Sequence, residues 1–202
     1  MPASDTALAW FFGRGVAKAF GFAWRVPPEH YAAFEQGRIS RRVFEDGIRS
    51  ALARFQEQRG LDPARLERFL DALSPDREHR FVTTNWNTLL DRELASRGHR
   101  VWHLNGSVEN PRAPLLTEID REGFHEPAFR ALLGAEACVL AGLSMKSALD
   151  QRTLARLCAE QACPRRWIVV NPDASARPAL PGEVAFREAT FERWIEEGLP
   201  GL

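Results

Sequence analysis

The stretch Leu8-Ala9-Trp10-Phe11-Phe12-Gly13-Arg14-Gly15 is five apolar residues followed at once by a glycine-rich turn. A short, continuous apolar run that stops at glycine indicates a strand buried on both faces, as in a parallel sheet. Residues 14–20 have the pattern of the first turns of a helix, and Pro27-Pro28 ends that pattern. A strand, a glycine turn and a helix in this order predict the start of an α/β fold.

Four further apolar runs end in the same way, at a small polar or glycine cluster. They are Phe81-Val82 before Thr83-Thr84-Asn85, Val101-Trp102-His103-Leu104 before Asn105-Gly106-Ser107, Val139-Leu140-Ala141 before Gly142-Leu143-Ser144, and Trp167-Ile168-Val169-Val170 before Asn171-Pro172-Asp173. Ligands of open α/β sheets bind outside the carboxyl ends of the strands. We therefore predict a Rossmann-like, doubly wound, mostly parallel sheet with helices on both faces, and a nucleotide at its carboxyl edge.

Residues 28–76 contain no strand pattern and have the periodicity of three amphipathic helices, over 29–36, 40–59 and 62–73. We expect residues 1–202 to form one domain, with 28–76 as a small helical insertion that covers the cleft from one side. Four more helices are predicted over 86–97, 124–133, 148–161 and 190–197. Residues 110–123 are predicted to form a loop near the cleft.

The composition limits the class of protein. The chain has 202 residues, 45% of them hydrophobic, and 27 acidic against 27 basic residues, so there is no overall attraction for nucleic acid or an anionic membrane. Three cysteines without a CxxC pair predict neither a disulfide framework nor a zinc site, and we expect no metal. Asp5 stands where a secretory signal is basic, and no apolar stretch approaches the ~20 residues that cross a bilayer. We expect a cytoplasmic protein.

The glycine-rich turn is a candidate phosphate site. Gly13, Arg14 and Gly15, with Gly21 further on, follow the first strand. Glycine lets a backbone approach a pyrophosphate, and N–H groups at a helix start donate to it. The alternative is a tight turn with no ligand.

Amides and hydroxyls follow the other strands. Thr84, Asn85 and Asn87 follow the second strand, where amides would orient a polar ligand or where Thr84 or Asn85 would cap a helix. Gly142 and Ser144 are candidates for phosphate, and Asn171 is a candidate for a ribose. These residues complete the candidate cofactor-binding set.

His103 and Asn105 flank Leu104, so in an extended strand both side chains point to the same face. A histidine beside a turn at a strand end is a candidate general base, because its unperturbed pKa near ~6.5 suits proton transfer at neutral pH. The alternative is a partly buried histidine bonded to a backbone carbonyl.

In order and spacing these segments resemble the sirtuin-like superfamily of NAD-binding proteins, especially bacterial sirtuin-like domains that lack a zinc module. The family pattern is a GAGxS loop with a later glycine, then TTNxD, LHGS, G-[TY]-S and a late strand that ends in NP. This chain has Gly13-Arg14-Gly15-Val16-Ala17 with Gly21, Thr83-Thr84-Asn85-Trp86-Asn87, Leu104-Asn105-Gly106-Ser107, Gly142-Leu143-Ser144 and Asn171-Pro172. The resemblance implies NAD or an ADP-ribose-type nucleotide as the ligand.

Three positions depart from the family pattern together. The family's catalytic histidine falls on Asn105, its aspartate near the nicotinamide amide on Asn87, and its glycine-loop serine on Ala17. Asn105 cannot take up a proton, and loss of a general base forfeits ~10² to 10⁴ in rate. Arg14 would either pair with the pyrophosphate or fill its space.

These matches and departures predict a divergent bacterial domain that binds the nucleotide with weak or no catalysis, a pseudoenzyme serving as a sensor, scaffold or accessory subunit. One alternative is an active NAD glycohydrolase (NADase) of anti-phage defence, in which His103 replaces the missing base. Asn85, His103 and Asn105 are its candidate catalytic residues. The other alternative is a ligand-free interaction module that binds a protein partner or a second copy of the chain.

Overall fold

A computed structural model describes residues 7–120 and 123–202 of the chain. Asp5 and two residues of the predicted 110–123 loop therefore lie outside the described residues. Six strands form one sheet: β1 Leu8–Phe12, β2 His79–Thr83, β3 Val101–His103, β4 Ala137–Ala141, β5 Arg166–Val170 and β6 Glu183–Arg187. All neighbouring strands are parallel, in the order β3-β2-β1-β4-β5-β6. This is the strand order of the doubly wound dinucleotide-binding fold, and the predicted fold class is confirmed.

Eight α-helices connect or flank the strands within the described residues. They are α1 Arg14–Ala19, α2 Pro28–Glu35, α3 Arg41–Gln58, α4 Pro63–Asp71, α5 Leu89–Ser96, α6 Glu126–Leu132, α7 Ala148–Ala159 and α8 Phe191–Glu196. Helices α2, α3 and α4 follow one another between α1 and β2, with no strand among them.

Strand alternation produces two apolar cores, one on each face of the sheet. In β1, Trp10 and Phe12 point into one core and Ala9 and Phe11 into the other. The first core is covered by α1, α4, α5 and α8, and the second by α6 and α7. Because both faces of β1 are buried, its sequence is a continuous apolar run rather than an alternating one.

Two details differ from the sequence prediction. Strand β6 was not expected, because Glu183 and Arg187 at its ends leave no apolar run and it is an edge strand that pairs with β5 alone. Helix α5 begins at Leu89 rather than at residue 86. The carbonyl oxygens of Asn85 and Trp86, which a longer helix would use, instead accept from His103 and Val108.

The direction of the strand order reverses between β1 and β4. Strands β2 and β3 extend the sheet on one side of this pair, and β5 and β6 extend it on the other. The turns that leave β1 and β4 run to opposite faces, to α1 and towards α7. In an open α/β sheet such a switch point opens the crevice in which ligands bind.

Among the described residues, no helix combines the length and the apolar character that crossing a bilayer requires.

Candidate ligand site at the carboxyl edge of the sheet

The glycine turns after β1 and β4 touch each other through their backbones. A Cβ on Gly13 would overlap the carbonyl oxygen of Gly142, and one on Gly15 would lie 2.7 Å from the Cα of Gly142. Gly142 itself has a φ of +65°, and its own Cβ would overlap the backbone nitrogen of Val16. These glycines are therefore needed for turn-to-turn packing, which differs from the expected approach of backbone to a pyrophosphate.

The N–H groups of the glycine turn are also engaged within the protein. Gly13 donates to the carbonyl of Ala141 at 2.8 Å, Gly15 to Gly142 at 2.9 Å, and Val16 to Gly13 at 3.1 Å. These three N–H groups therefore already have acceptors within the protein. Arg14, the first residue of α1, is exposed beside them.

The β2 turn is hydrogen-bonded to the β1 turn. The side-chain amide of Asn85 donates to the carbonyl of Gly13 at 3.2 Å, and the backbone N–H of Thr84 donates to Phe12 at 2.9 Å. Asn85 is buried, whereas Thr84 and Asn87 are half-buried. Asn85 therefore holds the glycine turn in place.

A buried side-chain amide also links the turn after β5 to the turn after β4. The amide of Asn171 donates to the carbonyl of Leu143 at 3.1 Å and accepts from the N–H of Asp173 at 2.9 Å. Ser144 is exposed, and its hydroxyl oxygen accepts from Lys146 and Ser147 in the turn before α7. The turns after β2, β1, β4 and β5 are consequently linked in the order of their strands.

Gly21 has no part in the contacts that link these turns. It follows the end of α1, about 9 Å along the helix axis from the glycine turn. It is exposed, with a φ of +86°.

His103 is held by hydrogen-bond acceptors on both sides of its ring. Nδ1 lies 2.7 Å from the carbonyl oxygen of Asn85, and Nε2 lies 2.8 Å from a carboxylate oxygen of Asp91 in α5. The side chain is only 11% exposed. Both ring nitrogens therefore face acceptor atoms within the protein, which hold the ring between the β2 turn and α5.

Asn105 lies at the other end of this row of turns. It is 6% exposed, and its side-chain amide nitrogen lies 3.5 Å from the backbone carbonyl oxygen of Thr84. The backbone carbonyl of Asn105 accepts from the N–H of Leu116 at 2.9 Å. The amide does not titrate. Asn105 therefore cannot act as a general base.

Two carboxylates that belong to none of the sequence motifs, Glu118 and Asp150, lie at the start of α7. Glu118 accepts from the hydroxyl of Ser147 and from the N–H of Leu149, the latter at 3.2 Å. Asp150 is 7% exposed. The one sequence signal was Ser147 three residues before Asp150, a capping pattern in which the serine oxygen accepts from the Asp150 N–H at 3.3 Å.

Asp150 has a perturbed acidity. Burial, followed by the nearby Glu118 carboxylate, raises its pKa from an ordinary 3.8 to about 6, while the Ser144 backbone and Arg14 act in the opposite direction. A buried carboxyl group with a raised pKa beside a cleft is a recurring feature of functional sites. Arg14, Asp150 and Glu118 therefore form a charged group at the switch point.

A separate pocket of about 350 Å³ lies between α2 and α3, away from the strand ends. It is lined by Pro27, Glu29, His30, Ala33, Ile39, Gly47, Ile48 and Ala51. Within residues 7–120 and 123–202, no group of three or more His, Cys, Asp or Glu side chains is placed to hold a metal ion.

Comparison with known proteins supports the architecture. No family model matches the chain, and no curated protein matches it. A solved structure described as "The Structural basis of Sirtuin Substrate Affinity" is similar over 96% of this chain and 93% of that chain, with a TM-score of 0.57 and 12% sequence identity. The chain has a sirtuin-like fold. At this level of identity the likeness concerns the fold alone.

The contact between the glycine turns predicts the effect of adding one methyl group. Gly142→Ala should lower the free energy of unfolding by about 2 to 5 kcal/mol, the sum of a left-handed backbone and an overpacked contact. Gly37→Ala is the matched control, because Gly37 has a similar φ of +69° and nothing within 4 Å of its Cβ position. Urea denaturation measures both. Equal losses in the two variants would show that the turns are not packed as described.

The raised pKa of Asp150 predicts a pH-dependent stability. In the folded protein this carboxyl is protonated up to about pH 6, whereas in the unfolded chain it ionises near 3.8, so stability falls as the pH rises through this window. Asp150→Asn should therefore stabilise the protein by up to roughly 3 kcal/mol near pH 7.5, at about 1.4 kcal/mol per pKa unit, and much less near pH 4. Asp46→Asn, at an exposed site on α3, should show no such difference. An Asp150→Asn variant that gains the same stability at both pH values would contradict the prediction.

Proposed function

We propose that this protein binds NAD or an ADP-ribose-type nucleotide at the carboxyl edge of its sheet, with weak or no catalysis. One observation carries the proposal. The motif-bearing turns lie side by side on one edge, and the two glycine turns meet where the strand order reverses between β1 and β4. The motif resemblance and the sirtuin-like fold point to the same class of ligand.

The residues divide into those that fix the edge and those that face a ligand. Asn85 and Asn171 are buried and bonded to neighbouring turns, so they would fix the backbone around the nucleotide. Arg14 and Ser144 are exposed at the two turns that meet. We infer that the Arg14 guanidinium pairs with the pyrophosphate, because it is charged and exposed beside the glycine turn.

A binding role is favoured over hydrolysis by the surroundings of the two base candidates. Asn105 does not titrate, and both ring nitrogens of His103 are directed at acceptors. A general base needs a free lone pair within reach of the proton that it removes. The protein would then serve as a sensor, scaffold or accessory subunit, with a protein partner or a second copy of the chain reading the bound state.

The segment 28–76 is inferred to act as a helical insertion beside this site within one domain. Its longest helix, α3, carries Arg41 and Arg49, which hold the backbone of the loop after β3 through the carbonyls of Leu115 and of Ser107. The insertion would thus shape one wall of the nucleotide crevice.

Ligand binding is tested by thermal unfolding with ADP-ribose and with NAD. A ligand at ~100 times its dissociation constant should add ~2.7 kcal/mol to the stability of the wild-type protein. Arg14→Gln should weaken binding about tenfold or more, because it removes a charged hydrogen-bond donor. Arg54→Gln, an exposed arginine on α3, is the control and should bind as the wild type does. No stabilisation by either nucleotide would favour the ligand-free interaction module.

Catalysis is tested by measuring the release of nicotinamide from NAD. The wild-type protein should release little, and Asn105→His, alone or with Asn87→Asp, should raise the rate by ~10² or more. His103→Gln should leave the low wild-type rate unchanged. Rapid release by the wild type that is lost in His103→Gln would instead support the NAD glycohydrolase.

A further inference from the structure

The segment Ala113–Asp120, which we call the strap, is hydrogen-bonded at its start to α3 of the helical segment 28–76. Arg49 of α3 donates to the carbonyl of Ala113 at 2.8 Å, and Glu45 accepts from the N–H of Leu115 at 3.1 Å. Arg41 donates to the carboxylate of Asp120 through both of its terminal nitrogens. Three charged side chains of one helix therefore fix both ends of the strap.

The strap crosses the carboxyl edge of the sheet. Its Leu116 N–H donates to the carbonyl of Asn105, just after β3, at 2.9 Å. Two residues later, Glu118 reaches the start of α7, which follows β4. In the sheet, β2 and β1 separate β3 from β4 by about 14 Å, and the strap joins the segments that follow β3 and β4. The nucleotide is proposed to bind at this same edge.

Glu118 fastens the strap on the far side. Its carboxylate accepts from the Ser147 hydroxyl and from the Leu149 N–H, two hydrogen bonds to a charged acceptor. We call this contact the latch.

Two features oppose the latch. Glu118 lies close enough to the buried carboxyl of Asp150 to raise its pKa, so the two groups repel when both are ionised. Met145, in the turn that the latch holds, has a φ of 56°, which is a costly backbone conformation for a residue with a side chain. The closed arrangement is therefore held against like-charge repulsion and local strain.

We propose that the strap is a self-inhibitory gate, which the Glu118 latch holds across the crevice in the free protein and which a phosphate-bearing nucleotide opens. The inference rests on the proposed function. A pyrophosphate placed beside Glu118 and Asp150 adds a third negative group, so ligand binding and latch closure oppose each other. A ligand shifts a conformational equilibrium only through such a difference in affinity between the two states.

The gate predicts that weakening the latch strengthens binding. If the open form is the minor one, the apparent dissociation constant exceeds the intrinsic one by the inverse of the open fraction. Glu118→Gln keeps the shape of the side chain and removes its charge, and it should bind ADP-ribose about tenfold more tightly than the wild type. Glu126→Gln, an exposed glutamate on α6 paired with Arg130, is the matched control and should not change the affinity.

A second experiment holds the gate closed with a covalent cross-link. The double variant Glu118→Cys, Ser147→Cys lacks the latch, and a short bifunctional methanethiosulfonate cross-linker would join its two new thiols and fix the strap. Calorimetry should show ADP-ribose binding at least about tenfold weaker after cross-linking, with full recovery after dithiothreitol. The wild-type protein, with Cys138, Cys158 and Cys163, is treated in the same way as the control.

The outcomes separate the gate from the function. Equal affinities for the wild type, Glu118→Gln and the cross-linked variant would overturn the gate and leave nucleotide binding standing. Tighter binding by Glu118→Gln without any effect of the cross-link would show that Glu118 acts through its charge alone, and would also overturn the gate. Absence of ADP-ribose binding in every form would overturn the proposed function, and the gate with it.

Discussion

The direct contact of the two glycine turns, after β1 and after β4, is the constraint on which the carboxyl edge depends. Gly13 and Gly15 lie against Gly142 with no room for a Cβ, so two backbones meet at the switch point of the sheet. Buried amides then extend the contact outward, with Asn85 tying in the β2 turn and Asn171 the β5 turn. These contacts join the four turns into one continuous wall at the carboxyl edge.

Two groups of titratable side chains lie at this wall: His103 with Asp91, and Glu118 with Asp150. His103 lies between the Asn85 carbonyl and Asp91, so its two hydrogen bonds tie the β2 turn to α5. On the far side, burial and then the nearby Glu118 carboxylate raise the pKa of Asp150 to about 6, and Arg14 offsets only part of this rise. The first arrangement adds hydrogen bonds to the wall, whereas the second places two carboxylates close together at its far side.

Helix α3 connects these parts across the molecule. Its apolar face packs Phe44 and Ile48 against Leu115, and its arginines hold the carbonyls of the same loop. Helix α3 thus holds both ends of the strap, and the start of α7 holds Glu118 between them. Helix α3 thereby links the helical segment 28–76 to the loop beside the carboxyl edge.

The sequence by itself determined the fold class and five of the six strands, because a buried parallel strand leaves a local mark: an apolar run ended by glycine or an amide, as in Leu8–Phe12. It also predicted most helices to within a few residues, and it placed the motif residues at strand ends. Only the tertiary structure decided that β6 joins the edge, that His103 is enclosed by acceptors, that the glycines serve turn packing, and that Glu118 reaches α7. These depend on contacts between residues as far apart as Gly13 and Gly142, which no local pattern of side chains encodes.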